Sequence, residues 1–149
     1  MAYSQIEQET LDLDIFLKDS NKYVHIATGG GQIPDNLALL DASSQEFKDL
    51  KLDNIFNESE IEVNPLLREI LNIEELENYL EDFIKYAKLG FYSYDKTNIG
   101  DFKNFNFHLV AKPKQGNNSK ISYKGIKELN VEFPDNFQVF NLQDISTEK

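Results

Sequence analysis

One stretch constrains the fold more than any other. Between Asn72 and Gly90 the apolar residues Ile73, Leu76, Leu80, Phe83 and Ala87 recur every three or four positions. That spacing lines side chains along one stripe of a helix. Asn72 offers an N-cap, and Glu75, three residues on, would complete a capping box. Glu74, Glu75 and Glu77 fill the first turns and Lys85 and Lys88 the last, as the helix dipole favours. Gly90 can end the helix by taking a left-handed conformation. A helix with one apolar stripe must bury it, so the rest of the chain has to supply a surface.

That surface reads as a sheet. Leu11, Leu13, Ile15 and Leu17 alternate with Asp12 and Asp14, the period of a half-buried strand. Asp19-Ser20-Asn21 is a cluster of turn formers, and Tyr23 to Thr28 reads as a second strand, so 11–28 is expected to be a β-hairpin. Gly29-Gly30-Gly31 and then Pro34-Asp35-Asn36 end it. Shorter helical segments are expected over 43–50 and from Asn64, with Asn64 as N-cap and Pro65 at the first helical position. After Gly90 the strand period returns in Phe91 to Tyr94 and in Phe105, Phe107 and Leu109. It appears again in Leu129 to Phe133 and Phe137 to Phe140, joined by a tight turn at Pro134-Asp135-Asn136. The order implies an α+β fold: an antiparallel sheet of about six strands with two or three helices packed on one face. With no repeat or low-complexity linker, residues 1–149 are expected to form a single domain with a frayed tail from about residue 146.

Composition narrows the chemistry. The chain has no Cys, which excludes disulfide frameworks, thiolate nucleophiles and thiolate metal sites. No apolar run approaches the roughly 18–20 residues that span a bilayer, and the N-terminus lacks a signal-peptide profile, so the expectation is a cytoplasmic protein without a membrane partner. The net charge of −11 disfavours phosphate backbones, hence nucleic acid. The charge is uneven: residues 41–82 carry thirteen acids and three bases, whereas 83–130 carry nine lysines and three acids. Aromatics and lysines mingle in that second block without a single Arg, and sheet aromatics ordinarily belong to a core rather than a base-stacking platform.

No catalytic constellation and no cofactor motif stands out. Gly29-Gly30-Gly31 lacks the Lys-Ser or Lys-Thr and the adjoining helix of a phosphate loop. His25 and His108 are the only histidines, each on the strand side opposite its apolar neighbours, and no short His spacing suggests a metal. Asp12 and Asp14 share one strand face, as solubility and edge protection require. The leading expectation is therefore a non-enzymatic acidic interaction domain of bacterial cytoplasm, immunity-like or antitoxin-like, that captures a basic partner protein. Its expected contacts are Glu58, Glu60 and Glu62 in one row and Glu74, Glu77 and Glu81 in another. The alternative is a small-molecule-binding or hydrolytic domain with its site at His25, Gly29, Gly30, Gly31, Tyr92, Tyr94, Asp95 and His108.

Overall fold

A computed structural model describes residues 14–28, 60–72, 76–98, 100–101, 103–114 and 126–146. The elements are β1 (Asp14–Lys18), β2 (Tyr23–Ala27), β3 (Ile61–Val63), α1 (Leu67–Leu71), α2 (Glu77–Lys88), β4 (Phe91–Lys96), β5 (Asn106–Pro113), β6 (Lys127–Glu128), β7 (Phe140–Asn141) and α3 (Leu142–Ser146). Six strands lie in the order β3-β5-β4-β2-β1-β6, and the two-residue β7 also pairs with β5. The expected helix over 43–50 lies outside the described residues.

The class is α+β, but the sheet is mixed, which corrects the antiparallel expectation. β1–β2, β3–β5 and β4–β5 are antiparallel. β2 and β4 run parallel, with His25 opposite Ser93 and Ala27 opposite Asp95, and β1 runs parallel to β6. The reason lies in the connection. Between β2 and β4 the chain forms α2, which packs over β4 and β5. A crossover of that kind brings the chain back in the same direction, as a tight hairpin cannot.

Both sides of the sheet are covered. Ile15, Leu17, Val24, Ile26, Tyr94, Phe107 and Leu109 pack on one side with Val131, Phe133 and Leu142. On the other side Phe16 and Phe91 meet Tyr86 and Leu89, and Ala27, Val110 and Ala111 meet Leu67, Phe83 and Ala87. Helices α1 and α2 thus share one side (the helix side), whereas α3 sits on the opposite side (the coil side), which corrects the one-face expectation. β1 is buried on both faces rather than half wet, because Phe16 fills the side that alternation alone left to the aspartates. Val110 and Ala111 both serve the helix side because pairing slips between β4 and β5. Ser93 lies opposite Ala111 but Tyr94 opposite Leu109, so Val110 is the extra residue of a β-bulge.

The main helix follows its stripe. Phe83 and Ala87 are buried, Leu76 and Leu80 partly so, and Tyr79 and Tyr86 extend the buried face; Ile73 lies outside the described residues. Gly90 ends α2 at φ 102°, its N–H donating to the Ala87 carbonyl at 3.0 Å. Asn72 does not cap α2. It closes α1 instead, in the left-handed conformation at φ 54°, which Asn tolerates better than any residue but Gly. Asn64 likewise forms a turn rather than an N-cap: its Oδ1 accepts the Leu66 N–H at 2.8 Å, while Nδ2 donates to the carbonyls of Leu109 and Phe137.

The expected strand over 129–133 does not form, β6 ending just before it at Glu128, and that over 137–140 is reduced to β7, with an irregular segment between β6 and β7. Several of that segment's carbonyls are taken by side chains of the sheet and its turns instead of a ladder. Lys22 donates to the Phe133 carbonyl at 2.6 Å, Tyr94 to Pro134 at 2.6 Å, Lys112 to Asp135 at 2.8 Å and Asn64 to Phe137 at 3.2 Å. The Phe133 N–H in turn donates to the buried Asp19 carboxylate at 2.9 Å. The coil is pinned residue by residue.

Candidate functional site

Period 2 decides where the polar side chains go. His25 lies on the helix side, opposite in direction to Val24 and Ile26, and His108 does the same between Phe107 and Leu109. Both rings are buried. Each anchors a separate hydrogen-bonded line beneath α2.

The first line is Asp14, His25 and Ser93. The Asp14 carboxylate accepts from His25 Nε2 at 2.8 Å, which assigns that nitrogen a proton; in the neutral ring Nδ1 then accepts from Ser93 Oγ at 2.5 Å. The residue types are those of a hydrolytic triad, but the setting is not. Ser93 has no exposed surface and His25 has 1%. The imidazole is held among Tyr86, with centroids 4.1 Å apart, Phe16 at 5.1 Å and Phe83 at 5.9 Å. Ser93 sits mid-strand, with no sharp turn to present it and no helix N-terminus behind it to stabilise an oxyanion.

The second line joins Thr97, His108, Tyr79 and Asp95. The Tyr79 hydroxyl has one proton and donates it to Asp95 Oδ2 at 2.7 Å. It must therefore accept from His108 Nε2 at 3.1 Å, leaving Nδ1 to accept from Thr97 Oγ1 at 2.9 Å. Burial, which disfavours the charged ring, pushes the His108 pKa down to about 4. Burial, then the Asp95 charge, pushes the Tyr79 phenol far above its ordinary 10.0. Tyr79 keeps its proton and works as a fixed relay of polarity. Phe83 stands between the two lines, 5.2 Å from the Tyr79 ring and 5.9 Å from His25, and fills the space where a shared pocket would be needed.

The sheet divides the remaining residues of the alternative site. Tyr92 and Tyr94 lie on the coil side, so they do not join His25, Asp95 and His108. Tyr94 is core, and burial raises its phenol well above 10.0. Gly29, Gly30 and Gly31 lie outside the described residues. No group of three potential metal ligands occurs among the described residues.

The acids are also divided. Glu58 and Glu74 lie outside the described residues. Glu60 and Glu62 are exposed; Glu60 faces Lys114 at 4.0 Å, and Glu62 sits opposite Lys112 across β3–β5, on the coil side. Glu77 and Glu81 are exposed with Asp82 on the outer surface of α2. The described members of the two rows, Glu60 and Glu62 on one side and Glu77 and Glu81 on the other, therefore occupy opposite sides of the sheet. Lys85 and Lys88 share the outer surface of α2 with the acids and confine the anionic part to its first two turns.

An open cleft lies among the described residues on the coil side, between the β1–β2 turn and residues 132–136. It measures about 490 Å³, with Tyr92 in its wall and Asn21, Glu132, Pro134 and Asp135 around it. Sequence reasoning missed Glu132 and Asp135 here, and Asp19 and Lys22 beneath them. The turn Asp19-Ser20-Asn21 was legible, but its carboxylate's role as acceptor for a segment 114 residues away was not. No helix among the described residues is long and apolar enough to cross a membrane. No family model, curated protein or solved structure matches the chain.

Proposed function

We propose that the chain is a non-enzymatic interaction domain that docks a basic protein partner, an immunity-like or antitoxin-like role in a bacterial cytoplasm. The observation that carries this is a division of labour among the acids. Asp14, Asp19 and Asp95 are engaged inside the fold. Glu77, Glu81 and Asp82 stand exposed on α2 and make no ion pair among the described residues. Glu77 and Glu81 are four apart, a like-charge spacing that costs a helix about 0.2–0.5 kcal/mol. Glu77, in the first turn of α2, gains from the helix dipole, but no partner within the described fold accounts for the three acids. In a chain of net charge −11 they add to a field that accelerates encounter with a cationic protein and rejects anionic ones.

The test is capture of a basic protein by the unmodified chain and by E77Q/E81Q/D82N, compared between about 50 and about 500 mM salt. The expected result is a complex that weakens with salt, and a variant that binds less, depends less on salt and folds at least as stably. Capture unaffected by either change would overturn the reading. A hydrolytic domain is the second reading, supported by the Asp14–His25–Ser93 line. Stoichiometric labelling of Ser93 by a fluorophosphonate would put it first; an unlabelled Ser93 in the folded protein removes it.

A further inference from the structure

We propose that the cleft beside Tyr92 receives a single cationic side chain, an arginine or lysine presented by a protein partner. The cleft falls within the range of about 300–1,000 Å³ typical of ligand pockets, and its wall is preorganised. The carbonyls of Phe133, Pro134 and Asp135 are each held by a donor from the sheet or the β1–β2 turn. A binding group entering there meets a backbone that has already been ordered.

The chemistry of the wall is suited to a cation. Lys22 shows this from within the chain: its ammonium lodges on Asp19 Oδ2 at 2.8 Å and on the Phe133 carbonyl at 2.6 Å, 5.5 Å from the centre of the Tyr92 ring. Carboxylate, carbonyl and aromatic face are the three partners an ammonium or guanidinium uses. Lys22 spends its charge on Asp19. Lys112 bonds the Asp135 carbonyl rather than its carboxylate. The Asp135 and Glu132 carboxylates are therefore left at the rim with no ion pair among the described residues, Glu132 accepting only from Asn21 Nδ2 at 2.9 Å.

Tyr92 records the resulting field. It is half-buried and its hydroxyl makes no hydrogen bond among the described residues. Burial raises its pKa, and the charges of Asp135, Asp19 and Glu62 raise it further. An incoming guanidinium would find an open hydroxyl oxygen and two rim carboxylates, with Lys22 paired to Asp19 and the Lys112 ammonium held on the Asp135 carbonyl. An anion would find the opposite. The inference rests on the basic-partner reading for the sign of the partner's charge only, because the cleft and the α2 acids lie on opposite sides of the sheet.

The experiment titrates the isotopically labelled chain with a tetra-arginine peptide and with its neutral counterpart, tetra-citrulline, following amide and aromatic shifts. Saturable shifts at Asn21, Tyr92 and 132–136 with arginine, absent with citrulline and weakened about tenfold in E132Q/D135N, are the expected result. Both rim residues are exposed, so the variant keeps its fold, which its melting curve verifies. Arginine shifts confined to α2, or cleft shifts unchanged in E132Q/D135N, overturn the cleft while leaving a basic partner possible at α2. Saturation at the cleft together with unaltered partner capture by E77Q/E81Q/D82N overturns the α2 reading and leaves the cleft standing.

Discussion

The two sides of the sheet are covered by different means, and the difference explains where the polar side chains lie. On one side α2 satisfies its own backbone, and the polar groups beneath it bond to one another: Asp14 to His25 to Ser93, and Thr97 to His108 to Tyr79 to Asp95. On the other side an irregular segment brings carbonyls that no ladder satisfies, and the sheet must supply donors. Lys22, Tyr94, Lys112 and Asn64 do so. A cover that satisfies itself leaves sealed networks; a cover that does not leaves polar edges and a cleft. Sealed networks hold the fold together, and open edges are what a partner can reach.

The comparison breaks most sharply at one buried residue on each side. Asp19 is fully buried and accepts the N–H groups of Asn21, Lys22 and Phe133 as well as the Lys22 ammonium. Asp19→Ala orphans the three N–H groups and leaves the Lys22 ammonium only the Phe133 carbonyl, so it should cost about 3–5 kcal/mol, as removing one member of a buried pair does. Phe83→Ala should cost a similar amount, about 3–5 kcal/mol, through the cavity it leaves among Leu67, Ala87 and Val110. Denaturant melts give the totals, and hydrogen exchange separates the sides. Loss of protection should concentrate at 131–137 for Asp19→Ala and along α2 for Phe83→Ala. The same loss pattern in both variants would mean that the two covers are one cooperative unit.

The helix side was largely legible in the sequence and the coil side was not. The stripe through Phe83 and Ala87 located α2, and Tyr79 and Tyr86, four before and three after Phe83, were readable from the same period. Alternation placed both histidines on one side; it could equally have separated Tyr92 and Tyr94 from Asp95. Ser93 as the partner of His25 needed the parallel register of β2 and β4, which a period of two cannot reveal because parallel and antiparallel strands share it. Leu129, Val131 and Phe133 do alternate, yet beyond the backbone bonds at Leu129 and Val131 the segment is held by side chains, and no local pattern announces a Lys or Tyr that will donate to a distant carbonyl. Asn72 was ambiguous for a different reason: Asn suits either end of a helix, and here it closes the one before it.

Acid should act on the helix side first. His108 is held at about 4 in the folded chain against 6.5 when unfolded. Between those values the unfolded chain binds the extra proton, so this contribution is complete above about pH 6.5 and declines as pH falls, levelling off near 4. The shift corresponds to about 3 kcal/mol at most. His108→Gln can still donate toward Tyr79 but cannot take a proton, so its stability profile should lose the part of the slope between about pH 6.5 and 4 that the unmodified chain shows. Parallel profiles would mean that the ring is reached by water and is not sealed.

The coil side allows a graded comparison of its own. Tyr94→Phe keeps the core ring and removes only the donor to the Pro134 carbonyl, so it should cost about 1–2 kcal/mol.

The smallest effect is expected at Lys112, which offers the same kind of bond as Lys22 at a wetter place. Lys22 has 11% of its side chain exposed and shares its ammonium between a buried carboxylate and a carbonyl. Lys112 makes an exposed bond to the Asp135 carbonyl and lies 5.0 Å from the Phe137 ring centre. Water can replace that bond when the ammonium is gone, and a methionine stem can still cover Phe137. Lys112→Met should therefore cost less than about 1 kcal/mol. It should also leave the cleft more anionic, because Glu62 across the ladder loses its cationic neighbour. Measured together, a near-neutral melt and tighter binding of tetra-arginine would separate what the pins do for the fold from what their charges do for a partner. A loss comparable to that of Asp19→Ala would instead show that every pin is essential, and that the cleft wall cannot be altered without losing the cover itself.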